Sequence, residues 1–159
     1  MKILIAFYSL TGHTETLAKA LGERLEATVV RIEPAIDPGQ KIGRQGMKAL
    51  FGQKEEIKPV LADLAEVDHL VVMTPVWSFN LPPYTRRYLS GITNCSGKKF
   101  SVLAEMGGSG GGRVIRKARA ILEGKGMSFV ASAETIEKDV DAGKYYETLE
   151  EFAKKIQAG

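Results

Sequence analysis

The feature that most constrains this chain is a regular alternation between short apolar runs and amphipathic segments. Residues 3–7 form an unbroken apolar run, which is typical of a strand covered on both faces in a parallel sheet. Directly afterwards, Leu17, Ala18, Leu21 and Leu25 recur at helical spacing with charged residues between them. The pattern therefore predicts a strand followed by a helix that packs onto it.

The same alternation continues to the end of the chain. The predicted strands are residues 3–7, 28–32, 70–73, 100–104 and 127–133, and the predicted helices are residues 14–25, 84–90, 113–123 and 144–157, with Gly91 and Gly124 as helix stops. Residues 34–66 have a weaker pattern, with a turn at Pro38-Gly39 and short helices at residues 47–51 and 59–64. Parallel crossovers between these strands predict one α/β domain over residues 1–159, a three-layer, open, doubly wound sheet of five strands.

Composition excludes several classes of function. A chain of 159 residues with 44% hydrophobic content can form one core without a disulfide, and the single Cys95 has no partner for a disulfide, a zinc site or a redox pair. We therefore predict no metal site. The net charge of +3 comes from residues scattered among acidic neighbours, so nucleic-acid binding has no support. We interpret the small basic cluster Lys41, Arg44, Lys48 and Lys54 as solvated surface, with the steering of an acidic partner as the alternative. No apolar run is long enough to span a membrane, so we expect a cytoplasmic protein.

The loop after the first strand carries the strongest chemical signal. It places the hydroxyls of Ser9, Thr11 and Thr14 around Gly12 at the start of a predicted helix, whose free amides point at the loop. Such a loop can bind a dianionic phosphate without a lysine. The alternative is that Thr11 or Thr14 merely caps the helix.

Other phosphate motifs are absent from the sequence. The loop has neither the Gly-x-Gly-x-x-Gly spacing of a dinucleotide site nor the lysine of a P-loop, and the glycine run at residues 107–112 fails the dinucleotide spacing as well. A dinucleotide or a nucleoside triphosphate is therefore disfavoured at the first loop.

Three segments together resemble the flavodoxin family over nearly the whole chain. Ser9-Leu10-Thr11-Gly12-His13-Thr14-Glu15 is similar to that family's phosphate loop, Thr74-Pro75-Val76-Trp77 with Leu81-Pro82-Pro83 is similar to its second flavin loop, and Met106-Gly107-Gly108-Ser109-Gly110 is similar to its third. The resemblance implies a flavodoxin-like sheet with strand order 2-1-3-4-5 and one bound flavin mononucleotide (FMN).

The resemblance also implies which residues contact the cofactor. The phosphate would lie on Ser9, Leu10, Thr11, Gly12, His13 and Thr14, and the isoalloxazine would lie against Pro75, Val76, Trp77, Ser78, Phe79, Asn80, Glu105, Met106, Gly107 and Gly108. Trp77 offers a flat surface for ring stacking, with Phe79 as the weaker alternative, and a buried core role is the other interpretation of Trp77. We expect the His13 ring to face solvent, Arg86 and Arg87 to lie over apolar surface, and His69 to be a packing residue.

The chain departs from the acidic electron carriers of the family. It is not acidic, and residues 105–112 contain no aromatic side chain to cover the second flavin face. The sequence favours an FMN-binding electron-transfer flavoprotein, with an FMN-dependent NAD(P)H:quinone or flavin oxidoreductase and a flavin-free binding module as alternatives. A redox protein or a small acceptor is the expected partner of a monomer or homodimer, and no side chain is predicted to act as a catalytic acid or nucleophile because the flavin carries the chemistry.

Overall fold

The computed structural model describes residues 1–37 and 42–159, and its centre is one parallel sheet. The strands are β1 (Ile3–Phe7), β2 (Thr28–Arg31), β3 (His69–Pro75), β4 (Lys99–Met106) and β5 (Ser128–Ile136). They are hydrogen-bonded in the order β2-β1-β3-β4-β5, and every pair is parallel. The predicted fold class and strand order are confirmed.

Helices cover both faces of the sheet. They are α1 (His13–Leu25), α2 (Ile42–Leu50), α3 (Pro83–Gly91), α4 (Gly111–Glu123), α5 (Glu137–Asp141) and α6 (Tyr146–Ala158). One apolar core packs the sheet against α3 and α4, and a second packs it against α1, α5 and α6. The result is a three-layer molecule with the sheet in the middle.

The first strand, β1, is apolar throughout because it supplies both cores. In β1, Leu4 and Ala6 belong to the core under α3 and α4, whereas Ile3, Ile5 and Phe7 belong to the core under α1 and α6. All five residues of the strand are buried. The continuous apolar run at residues 3–7 is therefore a strand covered on both faces, as the sequence predicted.

The predicted helix at residues 59–64 is wrong. This segment is extended, and its backbone pairs with the chain that follows α3: Leu64 N–H donates to the Thr93 carbonyl over 3.0 Å, and Thr93 N–H donates to the Ala62 carbonyl over 2.9 Å. Pairing with a distant segment overrides the local apolar spacing. The predicted turn at Pro38-Gly39, and Lys41 of the basic cluster, lie outside the described residues.

The sequence also missed α5, which has only five residues. A single helical turn is too short to show a repeating apolar pattern, and tertiary contacts rather than its own sequence stabilise it.

Among the helices of the described residues, none combines the length and the apolar character needed to cross a bilayer.

The packing of α6 predicts a large loss of stability when its main anchor is truncated. Phe152 is 1% exposed in the core shared with α1, so Phe152→Ala should lower the free energy of unfolding by about 3–5 kcal/mol. Phe51, which is 70% exposed, provides the matched control, and Phe51→Ala should change stability by no more than about 0.5 kcal/mol. Urea unfolding measures both, and equal losses would contradict this packing.

His69 predicts a pH dependence of stability. The residue is fully buried, with its Nε2 2.9 Å from the Ser101 hydroxyl. Burial, helped by the charge of Lys99, lowers the pKa of His69 from 6.5 to about 4. Between these values the unfolded chain binds the proton and the folded chain does not. The free energy of unfolding should therefore fall by about 3 kcal/mol as the pH drops from 6.5 to 4.

The measurement is urea unfolding across this pH range for the native chain and for His69→Gln. The variant should start from a lower stability and should lose less of it on acidification. A decline of equal size in both proteins would remove His69 as the cause.

Candidate functional site

Three loops meet at one edge of the sheet because the strands that precede them are neighbours. Phe7 of β1 pairs with Met73 of β3, and Pro75 of β3 pairs with Glu105 of β4. The contact continues into the loops, where Val76 N–H donates to the Glu105 carbonyl over 2.9 Å. The segments singled out in the sequence, residues 8–14, 75–80 and 105–112, therefore surround a common region at the carboxyl ends of the strands.

The first loop leaves the start of α1 open. Gly12 adopts a left-handed conformation with a φ of 100°, and its N–H donates to the Ser9 hydroxyl over 3.0 Å. Within the described residues, α1 has no side-chain cap hydrogen bond, so neither Thr11 nor Thr14 serves as its cap. The unpaired amides of the first helical turn are the groups that bind an anion in such a loop.

The His13 ring does not face solvent as the sequence predicted. Its side chain is 18% exposed, its Nδ1 lies 2.7 Å from the Thr11 hydroxyl, and its Nε2 lies 2.8 Å from Asp141 Oδ1. Burial acts to lower the pKa of His13, but the hydrogen bond to Asp141 and the neighbouring carboxylates outweigh it and raise the pKa above its ordinary value. Asp141 is the last residue of α5, a helix that the sequence analysis did not predict. The contact between His13 and Asp141 therefore could not be predicted from the residues around either one.

Glu105 lies beneath the first loop. Its side chain is buried, and Thr14 Oγ1 donates to its Oε2 over 3.2 Å. Burial and the charge of Glu137 raise the pKa of Glu105, and the hydrogen bond from Thr14 only partly opposes this rise. The resemblance assigned Glu105 to the isoalloxazine border, and the structure directs its carboxylate toward Thr14 at the base of the first loop.

The second loop contains a tight turn with unusual backbone angles. Trp77 and Asn80 exchange two backbone hydrogen bonds of 3.0 and 2.9 Å, and the intervening Ser78 and Phe79 have φ values of 47° and 58°. Positive φ at both central positions is the pattern of a type I′ turn, which ordinarily selects asparagine and glycine. A phenylalanine held in this conformation is strained, and the turn leaves its side chain 54% exposed.

Trp77 is half-buried and forms the inner wall of the loop. Its indole meets Tyr8 edge-on at 5.4 Å between ring centroids and Tyr84 edge-on at 6.4 Å. The indole thus packs against the core under α3, as one of the two sequence interpretations allowed, and at the same time borders the region between the loops. Phe79, which the sequence ranked second, is the more exposed ring.

Arg86 supports the second loop, a role that sequence analysis missed. Its Nη2 donates to Asn80 Oδ1 over 2.8 Å, and the same oxygen accepts Leu81 N–H over 2.9 Å. Arg86 therefore fixes the loop by a hydrogen bond rather than lying over apolar surface as predicted. Arg87 instead forms an ion pair with Glu56 at 3.4 Å. The position of Arg86 one helical turn after the loop was the only available signal.

The glycines of the third loop have different roles. At Gly110, whose φ is 98°, a Cβ would lie 2.9 Å from the Phe79 ring and 3.0 Å from Val76, so glycine is required for the second and third loops to pack together. At Gly108 a Cβ would meet no atom within 4 Å, and Gly107, Gly108 and Ser109 are all exposed. Met106 is partly buried and ends β4. The third loop is therefore anchored at Gly110 and open before it.

Comparison with known proteins identifies the family. The family model of NADPH-dependent FMN reductases matches residues 1–141 of this chain. An FMN-dependent NADH:quinone oxidoreductase 8 from Burkholderia lata is 29% identical over 99 residues, which are 62% of this chain and 42% of that protein. The match thus spans less than half the length of this curated relative.

Solved structures have the same fold. A flavoprotein in complex with FMN from Lactobacillus acidophilus aligns with a TM-score of 0.71 at 16% identity, covering 89% of this chain and 97% of the other. A flavodoxin from Streptococcus pneumoniae TIGR4 aligns with a TM-score of 0.66 at 17% identity, covering 99% of both chains. At these identities the structures establish the fold alone.

The family match covers most of the chain, and the sheet order and the flavoprotein neighbours agree with it. The flavodoxin-like resemblance and the cofactor expected from the sequence are therefore confirmed. This chain belongs to the NADPH-dependent FMN reductase family, a flavodoxin-like family whose cofactor is FMN.

Proposed function

We propose that this chain is an FMN-dependent oxidoreductase that oxidises NAD(P)H and reduces a quinone or a free flavin. The observation that carries the proposal is the open third loop, where Gly107, Gly108 and Ser109 are exposed and carry no side chain large enough to cover a flavin ring. A nicotinamide must stack on the flavin to transfer hydride, so an uncovered face is what this activity requires. The family and the curated relative support the same choice over a pure electron carrier.

The first loop fits the FMN phosphate. The amides at the start of α1 are free of a side-chain cap, and the Ser9 hydroxyl lies 3.0 Å from the Gly12 amide nitrogen. The left-handed Gly12 leaves open space where another residue would place a Cβ. We assign the phosphate to residues 9–14, with the helix amides as its main donors. The Thr14 O–H already donates to Glu105, whereas Ser9 Oγ accepts the Gly12 N–H and keeps its own proton for the phosphate.

The second and third loops fit the isoalloxazine. Phe79 and Trp77 provide the apolar surface, and Pro75, Val76, Ser78 and Asn80 hold that surface in place. Between Met106 and Gly108 the backbone can approach the polar edge of the ring because glycine adds no side chain there. Bound FMN supplies the hydride and electron chemistry, while these residues bind the ring, orient it and leave one face accessible.

An electron carrier is the second candidate, and it has one observation in its favour. The Phe79 ring is 54% exposed at the proposed flavin edge, where it could also contact a partner protein. A carrier would accept electrons from that partner and would react slowly with NAD(P)H. The rate of flavin reduction by NAD(P)H therefore decides between the two activities.

The phosphate assignment predicts a selective effect of Thr11→Ala. Thr11 Oγ1 lies 2.7 Å from His13 Nδ1, and it can accept that proton while it donates its own O–H to the phosphate. Loss of this donor should raise the Kd for FMN about tenfold or more, since a hydrogen bond to a charged group contributes roughly 1.5–3 kcal/mol. Riboflavin, which has no phosphate, should bind with unchanged affinity. Flavin fluorescence quenching measures both constants.

Thr16→Ala is the matched control, since the Thr16 hydroxyl lies on the same helix but donates to the Gly12 carbonyl over 3.0 Å. This variant should bind FMN with nearly native affinity. An equal loss of FMN and riboflavin binding in Thr11→Ala would remove the phosphate from this loop.

The open face predicts that a large side chain at Gly108 will block reduction. Gly108→Trp has room for its Cβ and does not need a positive φ, so the chain should fold and retain FMN. We expect the FMN-loaded native protein to be reduced by NADPH or NADH in anaerobic stopped-flow experiments. In the variant, the rate should fall at least about tenfold because the tryptophan occupies the nicotinamide position.

Gly91→Trp provides the control, because Gly91 also has open space around its Cβ position and lies at the far end of α3. Its reduction rate should match that of the native protein. A native holoprotein that neither nucleotide reduces, but that dithionite does reduce, would overturn the oxidoreductase proposal in favour of the carrier.

A further inference from the structure

A group of metal-ligating side chains lies behind the phosphate loop. His13 comes from the start of α1, Glu105 from β4 and Glu137 from the start of α5, and one potential ligand atom from each lies within 4.8 Å of the other two. Asp141 reaches the same histidine from the end of α5. His13 is thus brought next to carboxylates that lie more than ninety positions further along the sequence.

Glu105 lacks a partner at this point. The residue is 3% exposed, and its Oε2 accepts the Thr14 hydroxyl, but its Oε1 has no hydrogen-bond partner in the part of the chain that the structure describes. A buried acceptor that loses its water and gains no donor destabilises the folded protein, and more so when it is charged. The position therefore favours a cation or a proton at Oε1.

The charges around Glu105 favour the same conclusion. Glu137 and Asp141 add two carboxylates, and the charge of each acts to raise the pKa of Glu105, whereas the charge of His13 acts to lower it. A phosphate bound on the adjacent loop would add further negative charge. A divalent cation among these groups would reduce the repulsion between the carboxylates and also the repulsion between the carboxylates and the phosphate.

We propose that His13, Glu105 and Glu137 bind a divalent first-row transition cation such as Zn²⁺. One imidazole nitrogen and two carboxylate oxygens form a mixed ligand set that suits such ions better than Mg²⁺ or Ca²⁺, which prefer oxygen alone. A fourth position is available to water or to Asp141. Tetrahedral ligands at about 2.0–2.2 Å from zinc are roughly 3.4 Å apart, and the three ligand atoms already lie within 4.8 Å of one another, so small side-chain adjustments are enough to complete the site.

The surrounding hydrogen bonds orient the proposed ligands. His13 Nδ1 lies 2.7 Å from Thr11 Oγ1, which can accept its proton and leave Nε2 to bind the ion in place of its present contact with Asp141. Thr14 donates to Glu105 Oε2 and leaves Oε1 for the ion. Metal-binding histidines and carboxylates ordinarily have outer partners of this kind.

The test is metal binding by the full chain after removal of flavin and treatment with a chelator. Isothermal calorimetry with Zn²⁺ should show one site, and Co²⁺ should produce visible d–d absorption from a nitrogen and oxygen ligand set. Glu105→Gln and Glu137→Gln should each weaken Zn²⁺ binding at least tenfold. Circular dichroism checks that both variants are folded.

Glu134→Gln is the matched control, because Glu134 is also near the end of β5 but lies against the start of α4 on the opposite face of the sheet. It should bind Zn²⁺ as the native chain does. Absence of binding in the native chain, or native affinity in the folded Glu105→Gln and Glu137→Gln variants, would overturn the proposal and leave a proton on Glu105 as the means of satisfying it.

This experiment contains neither FMN nor NAD(P)H. Its failure would therefore leave the proposed oxidoreductase activity untouched, and failure of flavin reduction would leave the metal site untouched.

Discussion

Parallel pairing of β1, β3 and β4 is the constraint on which the site depends. Each strand ends at the same edge of the sheet, and the register sets Pro75 beside Glu105 and Phe7 beside Met73. Three loops separated by dozens of residues are thereby brought next to one another, and contacts such as the hydrogen bond from Val76 N–H to the Glu105 carbonyl then join them. The free amides of α1 then face this region because α1 begins directly after β1, and a positive φ at Gly12 turns the chain between them.

Close packing between the second and third loops is the next requirement. Gly110 leaves no room for a Cβ because Phe79 and Val76 occupy that space, and Phe79 itself is held at a positive φ by the paired backbone of Trp77 and Asn80. Strain in the turn is thus balanced by tertiary contacts. The second loop thereby exposes the Phe79 ring in a fixed position, where it can stack against a planar ligand.

The first loop lies between groups that favour an anion and a set of negatively charged side chains. Helix amides and hydroxyls favour an anion in front of the loop, whereas Glu105, Glu137 and Asp141 place carboxylates behind it. His13 lies between the two and bonds to Thr11 on one side and to Asp141 on the other. A cation or proton that neutralises these carboxylates would therefore also act on the loop to which we assign the phosphate.

The sequence by itself determined the strand and helix alternation, the parallel doubly wound class and the three loops, since apolar periodicity and loop residues are local signals. It did not reveal the extended path of residues 59–64, the short helix α5 or the bond from Arg86 to Asn80. Nor could it show that Glu105 and His13 meet Glu137 and Asp141. Those features were decided by the tertiary structure, because each depends on segments that lie far apart in the chain and become neighbours only when the sheet has formed.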